Sequence, residues 1–175
     1  MKSLKILTNT LVVTLVITLL ITGCVVKRED LKFKVKEGSL TLSVKKSAGY
    51  KLSTNSKDFK NTREQGILIG KDFKIGIEFN DDFDYFFKGD FDALKKARKG
   101  NNNYKEITYS GIKGIQYYYP GYKRYEVILP IKNNKKYFLD LTIYGKEDTD
   151  KSAKEAIQNK EVLDVLNNIK DIKVK

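Results

Sequence analysis

The chain has 175 residues, 32% of them charged and 41% hydrophobic, the balance of one folded globular domain rather than a disordered chain. It carries a net charge of +12, a single cysteine (Cys24) and no histidine. Those counts exclude an internal disulfide, every catalytic triad built on histidine, and the commonest metal ligand.

The first element is a targeting segment. Lys2 and Lys5 precede an apolar run from Leu11 to Ile21, broken only by Thr14 and Thr18, which is the make-up of a secretory signal. Ile21-Thr22-Gly23-Cys24 follows and resembles the lipobox of bacterial lipoproteins. That resemblance implies cleavage between Gly23 and Cys24 and a diacylglyceryl group on the Cys24 thiol. Two acyl chains, at about 0.8 kcal/mol per buried CH₂, hold a protein stably where one is reversible. An uncleaved span from about Leu4 to Val26 is the competing reading, shortened by Lys5 and Asn9.

Residues 1–23 are therefore read as signal peptide, 24–31 as lipidated cysteine and short tether, and 32–175 as a single α+β domain. Lys2 and Lys5 leave with the signal, so the mature part keeps 12 less 2, or +10. Outside the cytoplasm the polyanions that such a surplus attracts are phospholipid headgroups and wall polymers, not nucleic acid.

The mature chain then alternates with period two, the pattern of half-buried antiparallel strands. Phe33 and Val35 alternate with lysines; Leu40, Leu42 and Val44 follow a turn at Glu37-Gly38; Phe73, Ile75, Ile77 and Phe79 form a longer segment. Ile67–Ile69 and Ile107–Tyr109 are shorter candidates. Asp90 caps a helix with Phe91, Leu94 and Ala97 on one face and Gly100 at its end, and Phe83–Phe87 is a helical or irregular turn packed beneath it. Tyr125–Ile131 and Tyr137–Ile143 are again alternating strands. Ser152-Ala153-Lys154-Glu155 has capping-box spacing and opens a helix carried by Ile157, Val162, Val165, Leu166 and Ile169; Lys170–Lys175 returns as a short strand.

The hairpin around Pro120-Gly121 permits a register argument. Pairing Tyr119 with Lys123 sets Tyr117 against Tyr125 and Ile115 against Val127, keeping apolar residues on one face. The expectation is a three-residue loop, Pro120-Gly121-Tyr122, with Tyr122 exposed.

Leu40-Thr41-Leu42-Ser43-Val44 leading to Gly49-Tyr50, Ile112-Lys113-Gly114-Ile115, the strands Tyr125–Ile131 and Tyr137–Ile143, and the closing Val165-Leu166-Asn167-Asn168-Ile169-Lys170 together resemble the PsbP-like fold. The resemblance implies an αβα sandwich, an antiparallel sheet with helices packed on it. It also implies an interaction or assembly-factor role rather than catalysis.

Candidate chemistry is sparse. Asp81, Asp82, Asp84, Asp90 and Asp92 lack the ligand spacing of a calcium loop, and acids at a helix start are explained by capping and the helix dipole. Glu126 and Asp140 are diagonal neighbours on adjacent strands, the arrangement a glycosidase requires; beside Arg124, Thr142 and Lys132 they read first as an ordinary charged sheet face. Lys45-Lys46, Lys95-Lys96 with Arg98-Lys99, and Lys135-Lys136 read as solvated basic runs. Tyr118, Tyr119, Tyr122 and Arg124 are the candidate partner-binding residues, since Tyr and Arg dominate interface hot spots. The expected role is a non-catalytic envelope module that binds another envelope protein or, alternatively, an anionic wall polymer or lipid headgroup. No metal or cofactor is called for.

Overall fold

The computed structural model describes residues 26–175; the signal peptide, Gly23 and Cys24 lie outside them. The described chain is α+β, with two antiparallel sheets. The smaller holds β1 (Arg28–Lys34), β2 (Gly38–Lys45) and the C-terminal β10 (Ile169–Val174), in the order β1-β2-β10. The larger has seven strands in the order β3-β4-β5-β9-β8-β7-β6. These are β3 (Lys51–Ser53), β4 (Gly66–Ile69), β5 (Phe73–Asn80), β6 (Lys105–Tyr109), β7 (Ile112–Tyr119), β8 (Arg124–Pro130) and β9 (Phe138–Gly145).

The main core lies between the sheets. Ile75, Ile77, Val127, Leu129, Leu141 and Ile143 point from the large sheet toward Phe33, Leu40, Leu42 and Val44 of the small one, and Phe33 stacks on Phe79. Helices α3 (Asp150–Gln158) and α4 (Lys160–Leu166) add Ala153, Ala156, Val162, Val165 and Leu166 to the same core. Each fully buried aliphatic or aromatic side chain contributes roughly 1.5–3 kcal/mol.

Several local expectations are corrected. Residues Arg28–Leu31, assigned to the tether, open β1: Arg28 makes two 3.1 Å hydrogen bonds to Asp164 and also reaches Ser43. The C-terminal helix is two helices. Thr149, not Ser152, caps the first, its hydroxyl accepting from the Ser152 amide at 3.1 Å. Asn159, in extended conformation, ends α3, and its side chain caps α4 by accepting from the Glu161 amide at 2.8 Å. Ile169 belongs to β10 rather than to the helix.

The hairpin register also differs. Tyr119 pairs with Arg124, Tyr118 with Tyr125, Tyr117 with Glu126 and Ile115 with Ile128. The loop runs from Pro120 to Lys123, a 3₁₀ turn followed by Lys123 in the left-handed region at φ +49°. The reason is that β7 and β8 are buried on both faces. A register chosen to keep one face apolar has no advantage when both faces pack. Tyr122 is exposed, as expected.

Candidate functional site

The outer face of the large sheet, away from the main core, divides in two. Across β7, β8 and β9, Ile115, Tyr117, Ile128 and Phe138 form an apolar half. It is covered by α2 (Phe91–Arg98), whose Leu94 is fully buried among them, with Phe87, Phe91 and Tyr104 at the margin. Asp90 caps α2 as expected, accepting from the Asp92 and Ala93 amides at 2.9 and 3.2 Å. The inward stripe is Phe91, Leu94 and Arg98, however; Ala97 is exposed.

Beside it, Glu78 of β5, Asp140 and Thr142 of β9, and Arg124 and Glu126 of β8 form a polar half. It is overhung at the edges by Phe86, Phe87 and Arg98 and lines a recess of about 410 Å³, within the roughly 300–1,000 Å³ range of small-molecule sites. Asp140 is directly opposite Glu78 and diagonal to Glu126, and only 8% of it is exposed. Burial pushes its carboxyl well above the ordinary 3.8, and the charges of Glu126 and Glu78 push it further against Arg63 and Arg124. The group therefore keeps its proton to a higher pH than an ordinary carboxyl, and its Oδ1 has no hydrogen-bond partner among the described residues.

Glu126 is held in place. Its Oε1 accepts from Arg124 Nη2 at 2.8 Å and its Oε2 accepts from the Tyr117 hydroxyl. Burial and then the Glu126 charge push the Tyr117 phenol far above its usual range, so it remains a donor. The Arg124 guanidinium lies under two rings, 5.9 Å from Tyr119 and 4.7 Å from Tyr122. Arg98 sits 5.8 Å over the Tyr117 ring. The Nε atoms of Arg98 and Arg124 are buried without a hydrogen-bond partner among the described residues.

The third wall is the turn before β4. Asn61 accepts from the Arg63 amide at 2.8 Å, and Arg63 Nε bonds Glu78 at 3.1 Å. Glu64 folds over the sheet, accepting from the Tyr144 hydroxyl at 2.6 Å and the Lys60 amide at 2.7 Å. That fold-over depends on Gly76, where a Cβ would lie 2.4 Å from Glu64 Oε1. The outer lip is α1 (Asp82–Phe87), where Phe86 and Tyr85 are 64% and 80% exposed and meet edge-to-face at 4.8 Å. Phe87 alone of these three packs inward, so the expected packing of the segment beneath α2 holds for Phe87 and not for Tyr85 or Phe86.

The sequence-predicted residues separate accordingly. Tyr118 is not a surface residue: it is buried in the main core, and its hydroxyl donates to Asp150 at 2.5 Å. Tyr119 and Tyr122 stand at the hairpin tip, their rings tilted to each other with centroids 5.2 Å apart, over Arg124. Glu126, Asp140 and Thr142 do share a face with Arg124, but as buried groups in a concavity rather than a solvated charged surface. Lys132 lies beyond β8, exposed and off that face.

The sequence reading missed Asn61, Arg63, Glu78 and Asn80, and took Arg98 for a solvated cation. A signal was present: the nominally polar face also carries Ile128, Phe138 and Tyr144, which makes sense only if something covers it.

Among the described residues, no cluster of histidine, cysteine or acidic side chains is arranged to hold a metal ion, and no helix is long and apolar enough to cross a membrane. The side chains of residues 82–84, including Asp82 and Asp84, lie outside those described. A wider concavity of about 700 Å³ near Tyr109, Gln116 and Lys154 is a weaker candidate, because its Tyr109 hydroxyl already donates to Gln116 at 3.1 Å and its Asn103 to Tyr125 at 3.3 Å. Comparison of the chain with protein-family models, curated proteins and solved structures gave no match.

Proposed function

We propose that the chain is a lipid-anchored module on the extracytoplasmic face of a bacterial membrane, and that it binds an envelope component without transforming it. The Ile21-Thr22-Gly23-Cys24 sequence supports the anchor. The order of hairpin, long antiparallel strands, C-terminal helices and closing strand supports a PsbP-like domain and, with it, an interaction or assembly role. The binding seat is the outer-face recess, with the Tyr119–Tyr122 tip as its rim.

The observation that carries this reading is Asp140. A buried polar atom without a partner costs about 1–3 kcal/mol, and such a cost is retained where a ligand supplies the missing bond. Three residues with such an atom, Asp140, Arg98 and Arg124, are among those that line one recess.

The test uses the full chain in detergent micelles against an envelope hydrolysate. Retention of a component by the native protein, lost in Asp140→Ala, supports the recess; equal retention by both refutes it. Palmitate labelling that disappears in Cys24→Ser supports the anchor, and labelling that persists overturns it.

A second reading, a two-carboxylate glycoside hydrolase, is favoured by two diagonal carboxyl groups in unlike settings: Asp140, pushed up by burial, and Glu126, paired with Arg124. New reducing ends released from the same hydrolysate by the native chain but not by Asp140→Asn would establish it in place of simple binding.

A further inference from the structure

The recess does not end at Arg124. Beside it lies a second concavity of about 310 Å³, and the two share Asn61 and Arg124 as common lining. Their chemistries differ. In the recess, Arg63, Arg98 and Arg124 stand against Glu78, Glu126 and Asp140, three guanidinium groups facing three carboxyl groups. Phe86, Phe87 and Phe138 give one wall an apolar surface.

Balanced, closely spaced planar hydrogen-bonding groups beside aromatic faces suit a ligand with many hydroxyls and an apolar C–H face. A pyranose ring has both. A fully ionic ligand would leave either the acids or the arginines uncompensated in a buried site.

The adjoining shelf is different. Lys60, Lys123 and Lys146 gather there beside Arg124, against Glu147 and Asp148. Two of the lysines already have partners: Lys123 Nζ donates to the backbone carbonyl of Asp148 at 3.2 Å, and Lys146 Nζ lies 3.7 Å from Asp72. Tyr122 lines the shelf with its ring over the Arg124 guanidinium. Oxygen anions such as phosphate and carboxylate are recognised by clusters of this kind, and the attraction weakens with salt.

Resting on the reading of the recess as the binding seat, we infer that the ligand is a sugar unit carrying an anionic group: the ring sits in the recess, the phosphate or carboxylate lies on the Lys60–Lys123–Lys146 shelf, and Arg124 spans the two. An uncharged sugar alone would leave the shelf unused. A bare polyanion would engage the shelf and leave Asp140 without its partner.

The experiment is calorimetric titration of the full chain in detergent micelles with glucosyl-substituted poly(glycerol phosphate), the unsubstituted polymer, methyl glucoside, and vesicles bearing a glucosylated anionic lipid. The substituted polymer or the glycolipid vesicle should bind at least about tenfold more tightly than either partial ligand, and which of the two binds identifies the source. Asp140→Ala should lower that affinity about tenfold or more while leaving the unsubstituted polymer unaffected. The combined Lys60→Gln, Lys123→Gln and Lys146→Gln variant should abolish the salt dependence.

Equal binding of substituted and bare polymer, with Asp140 irrelevant, would overturn the inference and leave charge alone. Methyl glucoside binding as tightly as the polymer would overturn the shelf and leave the recess standing. If no probe binds but Asp140-dependent retention of an envelope component persists, the ligand class is wrong and the binding seat is right; losing both refutes both. A cooperative thermal transition of Asp140→Ala, measured alongside, shows that its lost affinity is not lost folding; a variant with no such transition is replaced by Thr142→Val on the same face.

Discussion

The two halves of the outer sheet face are built on the same strands and differ in what lies over them. On one half, Ile115, Tyr117, Ile128 and Phe138 are sealed by Leu94 of α2. On the other, Glu126, Asp140 and Thr142 are buried and Arg124 partly so, but they face a recess. Tyr117 belongs to both: its ring packs in the apolar half and its hydroxyl holds Glu126. The sealed half contributes stability through burial. The open half stores polar groups in an arrangement that folding alone does not satisfy. Burial by itself therefore does not distinguish a structural face from a functional one; the satisfaction of the buried groups does.

The comparison breaks first at Leu94. Leu94→Ala should cost about 3 kcal/mol, a fall of about 6–12 °C in thermal midpoint, and a loss below about 1 kcal/mol in urea unfolding would mean that the apolar half is not sealed as described. Next comes Glu126→Ala, which strips Tyr117 and Arg124 of their shared acceptor and should cost about 2–3 kcal/mol. Glu126→Gln, still an acceptor for one of them, should recover part of that loss; identical midpoints for the two variants would show that the hydrogen bonds contribute little.

Asp140→Asn should go the other way. The native state holds a proton that the unfolded chain releases once pH exceeds the ordinary carboxyl value of 3.8. From about pH 4 upward the unfolded state binds fewer protons than the native one, so wild-type stability falls as pH rises toward the raised native value. The groups facing Asp140 are Glu126, Glu78, Arg63 and Arg124, and the amide removes its titration from among them. Asp140→Asn should then be the more stable protein at neutral pH, by on the order of 1 kcal/mol, with the difference closing near pH 3. Thermal midpoints of both proteins across that range provide the check, and a variant less stable than wild type at pH 7 would show the carboxylate ionised and paired. Smallest of all, Tyr122→Ala at the exposed tip should change stability by under about 0.5 kcal/mol; a larger loss would make the tip structural.

Much of the fold was legible because alternation reports a sheet with one wet face. Phe73–Phe79, Tyr125–Ile131 and Tyr137–Ile143 read correctly as strands from their apolar phase, although β8 and β9 are buried on both faces. The pattern failed in β7, where the run Gly114-Ile115-Gln116-Tyr117-Tyr118 has no polar phase, so it could not fix the hairpin register. It failed again at the recess, where Glu126 and Asp140 look like solvated residues in one dimension. Their burial comes from α2, the turn at Asn61–Glu64 and the α1 lip, which are distant in sequence and meet only in the fold. Helix ends were legible to within a turn. A threonine cap was passed over at Thr149, and Asn159 both ends one helix and begins the next, which apolar periodicity does not register.

The guanidinium of Arg28 acquires a mechanical meaning once Cys24 is taken as the anchor. Three residues separate the two, a reach of about 14 Å at full extension, so a tug on a tethered ligand passes almost without slack into the first residue of β1. Whether that tension shears the strand or peels it from β2, the first bonds it meets are that from the Lys46 amide to the Lys27 carbonyl, 3.0 Å, and those from Arg28 to Asp164 and Ser43. The rivet at the membrane end thus sets how hard the domain can be pulled before its edge strand comes away.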